Sequence, residues 1–96
     1  MNYPPLPYSI TPRAEAKIQA QRRYLNGKAP GKGEEFYEKI LIALDWISEN
    51  YHVPPDAPDH PGMKRLVLKN KWAIVYEVGT TEVTIASLLH PGQGIL

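Results

Sequence analysis

Ninety-six residues with 43% hydrophobic and 22% charged side chains make one domain with one modest core, and exclude a disordered, collagen-like or coiled-coil chain. Eleven Lys and Arg against ten Asp and Glu leave a formal charge of +1, so no overall field draws the chain to nucleic acid or an anionic membrane. The absence of cysteine excludes a disulfide framework, a thiolate nucleophile and a cysteine-ligated metal site, and points to a reducing, cytoplasmic compartment.

No run approaches the roughly 20 apolar residues of a membrane span, and residues 1–7 lack the basic start and apolar run of a signal peptide. The chain is therefore expected to be the mature protein, with no membrane partner. Pro4, Pro5 and Pro7 suit a lead-in or a sheet edge, and Tyr8, Ser9 and Ile10 predict a short first strand. Thr11 followed by Pro12 reads as a helix start, because Thr can cap the free amides of the first turn and Pro gives up a donor that has no partner there. A first helix to about residue 25 sets Ala14, Ile18, Gln21 and Leu25 on a narrow stripe and spreads Arg13, Lys17, Arg22 and Arg23 over the rest. Asn26 and Gly27 predict a left-handed stop, followed by a connector over 28–33.

Phe36, Ile40, Leu44 and Ile47 mark the main core helix, widened by Tyr37, Leu41 and Trp46, with Glu34 and Glu35 where the helix dipole favours carboxylates. Trp46 is expected in the core, and the two helices as an antiparallel hairpin. Residues 51–62, with Pro54, Pro55, Pro58 and Pro61, form a loop between a helical and a strand half. Strands follow over 64–69, 72–78 and 82–89, with Asn70 at the tip of the first turn and Gly79, Thr80 and Thr81 in the second. In the last strand Val83, Ile85, Ser87 and Leu89 alternate against Thr84, Ala86 and Leu88, and residues 91–96 are a short tail. The fold class is α+β: an N-terminal strand, a helical hairpin and a three-stranded antiparallel meander in one sheet, as a single domain over 1–96. The helices cover one sheet face; the other is expected to be partly open to a partner.

Lys64, Arg65, Lys69 and Lys71 place four cations in eight residues with no acid until Glu77. Such a patch suits a nucleic-acid backbone or an acidic protein segment, and equally a solvated strand end whose lysines block edge pairing. His90 has the side chain for proton transfer near neutral pH, or for a backbone hydrogen bond at a strand end. His52, Asp56, Asp59 and His60 are of metal-ligand type, but their spacing matches no ligand frame, so neither metal nor cofactor is expected. Trp72 adjoins Lys71 and by alternation shares a face with Ile74 and Tyr76, an arrangement suited to a partner hot spot. No phosphate-binding glycine loop, Ser-His-Asp order or metalloprotease motif occurs.

Four strings, in order and at these spacings, carry a resemblance: Ser9-Ile10-Thr11-Pro12-Arg13-Ala14; the helix over 36–47; Arg65-Leu66; and Ile74-Val75-Tyr76-Glu77-Val78 followed by Ile85-Ala86-Ser87-Leu88-Leu89-His90. Over about residues 8–90 they resemble the RelE/ParE superfamily of small bacterial toxins from type II toxin–antitoxin pairs, which include plasmid-stabilization systems. The resemblance implies a cytoplasmic toxin held by a cognate antitoxin, ParD-like or another small one, whose C-terminal segment wraps the helical hairpin and sheet edge. RelE-like members cut messenger RNA on the ribosome with a set of arginines and lysines and often a late Tyr or His. Here Ala73 stands where that branch commonly has an arginine, three residues before the tyrosine of the second meander strand, and the tail lacks both basic residues and tyrosine.

The resemblance therefore leans to the ParE-like branch, a non-hydrolytic DNA gyrase inhibitor, and away from an enzyme. Arg65, Lys71, Trp72, Tyr76, Arg22 and Arg23 are its expected partner-binding residues. One alternative is a RelE-like endoribonuclease acting on the ribosome with its messenger RNA, with Arg65, Lys64, Lys69 and His90 carrying the chemistry. The other is a non-toxic binding module of the same fold.

Overall fold

The helix start at Thr11 follows from its local chemistry. In the computed structural model, which describes residues 3–91, Thr11 stays extended and its hydroxyl accepts a hydrogen bond from the Ala14 N–H at 3.2 Å. Helix α1 spans Pro12–Lys28 and α2 spans Lys32–Asn50. The first helix thus runs through Asn26 and Gly27 instead of stopping there. Asn26 is engaged across the hairpin, its Oδ1 accepting from the Gly33 N–H at 2.8 Å and its Nδ2 donating to Glu34 at 3.2 Å. The left-handed residue that turns the chain is Gly31, at φ 89°, immediately before α2.

Arg22 completes the clasp, donating from Nε and Nη2 to the two carboxylate oxygens of Glu34 at 2.8 and 2.6 Å. The helices approach so closely here that a Cβ on Gly33 would lie 2.1 Å from the Arg22 carbonyl oxygen.

Strands β1 (Tyr8–Ile10), β2 (Lys64–Val67), β3 (Ala73–Val78) and β4 (Val83–Leu89) form one sheet in the order β1-β4-β3-β2. The last three make the expected antiparallel meander, and β1 pairs parallel with β4, Tyr8 opposite Val83, so the sheet is mixed. That edge place suits the prolines before it, which cannot donate to a ladder. Val75 of β3 pairs Ser87 of β4 but Tyr76 pairs Ile85, leaving Ala86 of β4 as the extra residue of a bulge. The bulge breaks the simple alternation read from the sequence. Val83, Ile85 and Leu88 join the helix-side core, whereas Leu89 lies on the opposite face. Thr11 ties the bulge to α1, its N–H bonded to the Ile85 carbonyl at 3.0 Å and its hydroxyl to the Ala86 carbonyl at 3.2 Å.

The main core joins Ala14 and Ile18 of α1, Phe36, Ile40, Leu44 and Ile47 of α2, and Ile74, Tyr76, Val83, Ile85 and Leu88 of the sheet. The other sheet face is covered in part by the loop, and Ser9, Val67 and Glu77 on it are exposed, in keeping with the expectation of a partly open face. Ala57 and Met63, flanking the proline turn, pack on Ala73, Val75 and Leu89. The loop is pinned there by Ala57 N–H to the Met63 carbonyl at 2.8 Å and by Arg65 N–H to the Pro55 carbonyl at 2.9 Å. At the chain's start, Leu6 exchanges hydrogen bonds with Ser48, and the Tyr51 hydroxyl donates to the Pro4 carbonyl at 3.0 Å, strapping the lead-in to the end of α2. No helix among the described residues is long and apolar enough to cross a membrane.

Candidate functional site

Helix α2 has more apolar surface than the core can take. Ile40, Ala43, Leu44 and Ile47 occupy the buried stripe, while Lys39, Ile42 and Trp46 fall at i, i+3 and i+7 on the flank that faces β2. Ile42 is 61% exposed and Trp46 38%. The expectation that Trp46 belongs to the core is therefore corrected: β2 ends at Val67, and Leu66 within it and Leu68 just past it leave a gap before α2 instead of closing on the indole.

The gap is a groove of about 420 Å³, walled by Ile42, Ala43 and Trp46 on one side and Leu66 and Leu68 on the other, with Lys39, Lys69 and Asn70 at its rim. Two lysines and no carboxylate line it, and neither lysine forms an ion pair among the described residues. Past Lys39 and Asn70 it meets a second depression of about 280 Å³ toward α1, lined by Leu25, Phe36 and Trp72 and carrying the exposed Lys32–Glu35 ion pair. The turn between β2 and β3 shapes this junction. Lys71 takes a left-handed φ of 74°, and the Asn70 side chain accepts from the Trp72 N–H at 3.1 Å.

The basic patch of the sequence separates in space. Lys64 is tied to the loop, donating to the Pro54 carbonyl at 3.1 Å and pairing Asp56 at 3.4 Å. Arg65 is half-buried opposite Val75, whose side chain is on the face covered by the loop. Lys69 and Lys71 are exposed at the turn, close to the groove. His90 lies at the other face, its ring 4.4 Å from that of Trp72, which itself packs edge-on against Phe36 at 5.5 Å. Register and packing thus divide Arg65 and His90 between the two sheet faces and set Lys64 and Lys69 at opposite ends of β2. They do not converge on one reacting centre.

The partner-binding expectation is corrected for Tyr76, which is fully buried, whereas Trp72 is mostly buried and also lines the second depression. Both are in the helix-side core; the Tyr76 hydroxyl donates to the Tyr51 carbonyl at 2.8 Å, and burial raises its pKa. The reason is that the face they share is the one α1 and α2 cover. Arg22 lies 4.3 Å over the Tyr37 ring while it clasps Glu34, and the guanidinium's hydrogen bonds hold that carboxyl at about 2. Arg23 is exposed on α1. In the proline loop His52 stacks on Tyr3 at 3.9 Å, and among the described residues no group of three His, Asp or Glu is placed to hold a metal ion.

Sequence reasoning passed over Lys39, Ile42 and Leu68, and used Leu66 only in the Arg65-Leu66 string. A signal was present: Ile42 and Trp46 form a second apolar stripe offset from the core one, with Lys39 on the same line.

No family model matches the chain, and no curated protein does. Among solved structures, a chain of "Chromosomal ParDE TA system from P. aeruginosa" superposes with a TM-score of 0.77 and 16% sequence identity, covering 86% of this chain and 92% of that one. The chain has a ParE-like fold. What the two chains share is this architecture of strand, helical hairpin and three-stranded meander.

Proposed function

We propose that this chain is the toxin of a type II toxin–antitoxin pair, a single cytoplasmic domain of the ParE-like kind that inhibits DNA gyrase unless an antitoxin neutralises it. The observation that supports this reading most is the ParE-like fold carrying an apolar, lysine-rimmed groove with its own tryptophan. A groove of that chemistry suits a disordered acidic segment that folds as it binds, which buries Ile42 and Trp46 and neutralises Lys39 and Lys69. Action by binding also agrees with the scatter of Arg65, Lys64, Lys69 and His90. In-line attack on a phosphodiester needs cations and proton-transfer groups around one phosphate.

Expression of the chain alone, with DNA supercoiling and messenger-RNA integrity followed together, tests the proposal. Loss of negative supercoiling with SOS induction and intact transcripts is the expected result. Ribosome-dependent transcript cleavage, abolished by Arg65→Ala or His90→Ala, would overturn it in favour of an endoribonuclease. Undisturbed growth with a folded product would overturn it in favour of a non-toxic binding module.

A further inference from the structure

Helix α1 gives little of itself to the core. Of its 17 residues only Ala14 and Ile18 are buried, and Arg13, Ala16, Ala20, Arg23 and Gly27 on the opposite side are all exposed. At 3.6 residues per turn these five share one face, with Tyr24 and Lys28 beside them. Lys17 is at the margin, its Nζ donating to the Leu88 carbonyl at 3.2 Å. The helix's one acid, Glu15, lies elsewhere, on the flank of Arg22 and Asn26, where Gln19 donates to it at 3.3 Å. Across the hairpin, Glu34 is taken up by Arg22. Arg13, Arg23 and Lys28 form no ion pair among the described residues, and the Lys28 ammonium lies 5.3 Å over the Tyr24 ring.

Solvation does not account for this pattern. A solvated helix face gains from opposite charges at i and i+4, and here Arg13 is followed by Lys17. Arg13 also stands in the first turn, where the helix dipole opposes a cation. The cations form two pairs: Arg13 and Lys17 near one end, Arg23 and Lys28 near the other, with centres about 16 Å apart along the axis at 1.5 Å per residue. Ala16 and Ala20 keep the middle low, so both pairs can reach one extended polyanion.

The composition of the face selects among polyanions. An anionic membrane calls for large apolar residues on a basic helix, and this face has Tyr24 alone. An RNA duplex is held largely through its 2′-hydroxyls, for which Ala16, Ala20 and Gly27 offer no side-chain partner. Duplex DNA presents about one phosphate charge per 1.7 Å of axis and a major groove about 12 Å wide, whose two banks lie within reach of the two cation pairs.

We propose that the outer face of α1 is a sequence-independent contact for the phosphate backbone of duplex DNA, with Arg13 and Lys17 on one bank of a groove and Arg23 and Lys28 on the other. The Tyr24 hydroxyl adds a phosphate hydrogen bond. This inference does not rest on the toxin reading and uses a face separate from the groove between α2 and β2. The near-zero net charge conceals it, because the carboxylates that balance these cations are on other surfaces.

Fluorescence anisotropy of a labelled DNA duplex of mixed sequence, titrated with the full chain, tests the proposal. Four neutralised phosphates give a log–log salt slope of about −3.6, so affinity should fall about 100-fold between about 50 and 200 mM salt, whatever the base sequence. Arg13→Gln, Arg23→Gln and Lys28→Gln each weaken binding several-fold and reduce the slope by about 1, while Arg23→Lys keeps it. Lys64→Gln, the same loss of charge on the outermost strand, binds like the native chain. These side chains are exposed on α1, and a melting curve confirms that each variant is folded. No binding of the duplex, a slope unchanged by Arg23→Gln, or equal weakening by Lys64→Gln overturns the proposal. Tighter binding of an RNA duplex of the same sequence, or of phosphatidylserine vesicles, weakened by the same α1 variants, also overturns it and assigns the face to RNA or to a membrane.

Discussion

Gly27→Ala and Gly33→Ala are one chemical change with opposite expected signs. Both glycines lie in helices, where alanine is favoured over glycine by about 0.5–1 kcal/mol. A Cβ at Gly27 meets nothing within 4 Å, so that variant is expected to gain roughly this amount. A Cβ at Gly33 would lie 2.1 Å from the Arg22 carbonyl oxygen and 2.7 Å from Asn26 Cγ and Nδ2, where ordinary contact begins at 3.4 Å. The obstacle is backbone, so relief requires α1 and α2 to separate. Such overpacking costs about 1–3 kcal/mol, and loss of the Asn26 bond to the Gly33 N–H adds about 1. After the gain in propensity, a net loss of about 1–3 kcal/mol remains. In a chain of this length it lowers the midpoint by roughly 5–20 °C, at about 4–8 °C per kcal/mol. Thermal and urea denaturation of the two variants beside the native chain measure both signs. A Gly33→Ala variant as stable as the native chain would refute the close helix crossing, and a destabilised Gly27→Ala would refute the open site.

Tyr76→Phe removes the donor to the Tyr51 carbonyl inside the core and is expected to cost about 1–2 kcal/mol in urea unfolding, with the fold retained. The Glu34 carboxyl sits at about 2 in the folded chain against an ordinary 4.5, so its contribution is fully present above pH 4.5 and is lost as pH falls toward 2. Glu34→Gln should flatten the fall of the melting midpoint over that window and leave the slope above pH 5 unchanged, measured at low salt because the pair is exposed. On the proposed function, Trp46→Ala should weaken binding of the proposed antitoxin by about 30-fold or more, the effect of a central aromatic anchor, while moving the midpoint by only a few degrees. Calorimetric titration with the antitoxin and a melting curve read the two effects; a large loss of stability with unchanged affinity would return Trp46 to the core.

What was legible in the sequence was local. Thr11-Pro12 starts α1 because capping and proline geometry act within one turn, and the period of Phe36, Ile40, Leu44 and Ile47 reports a face that one core must bury. The meander was legible for the same reason, since its strands are joined by short turns. What failed depended on a distant neighbour. Asn26 reads as a helix stop until Gly33 is placed against it, and the bulge at Ala86 exists only in register with Val75 and Tyr76. Trp46 has the periodicity of a core residue, and only the end of β2 decides that its flank stays uncovered. The candidate site was half visible: its lysines stood out as charge, but its apolar walls come from two elements some 25 residues apart in the sequence.

The small net charge of the chain conceals a division that favours one route of approach. Glu34, Glu38, Asp45 and Glu49 lie along one exposed stripe of α2, and Lys39, Ile42 and Trp46 along the next, turned toward β2, where the one acid, Glu35, is paired with Lys32. An acidic segment is repelled by the first stripe and attracted by Lys39 and Lys69, so it is steered to the sheet side of α2, where the apolar walls of the groove lie. Because both lysines are exposed, the steering weakens beyond a Debye length of about 8 Å at physiological salt, and the association rate should fall as salt rises. Apolar burial in the groove is much less sensitive to ions, so dissociation should change little. A salt dependence confined to dissociation would mean that Lys39 and Lys69 act only after docking, and that the stripe of carboxylates on α2 has no part in guiding the partner to β2.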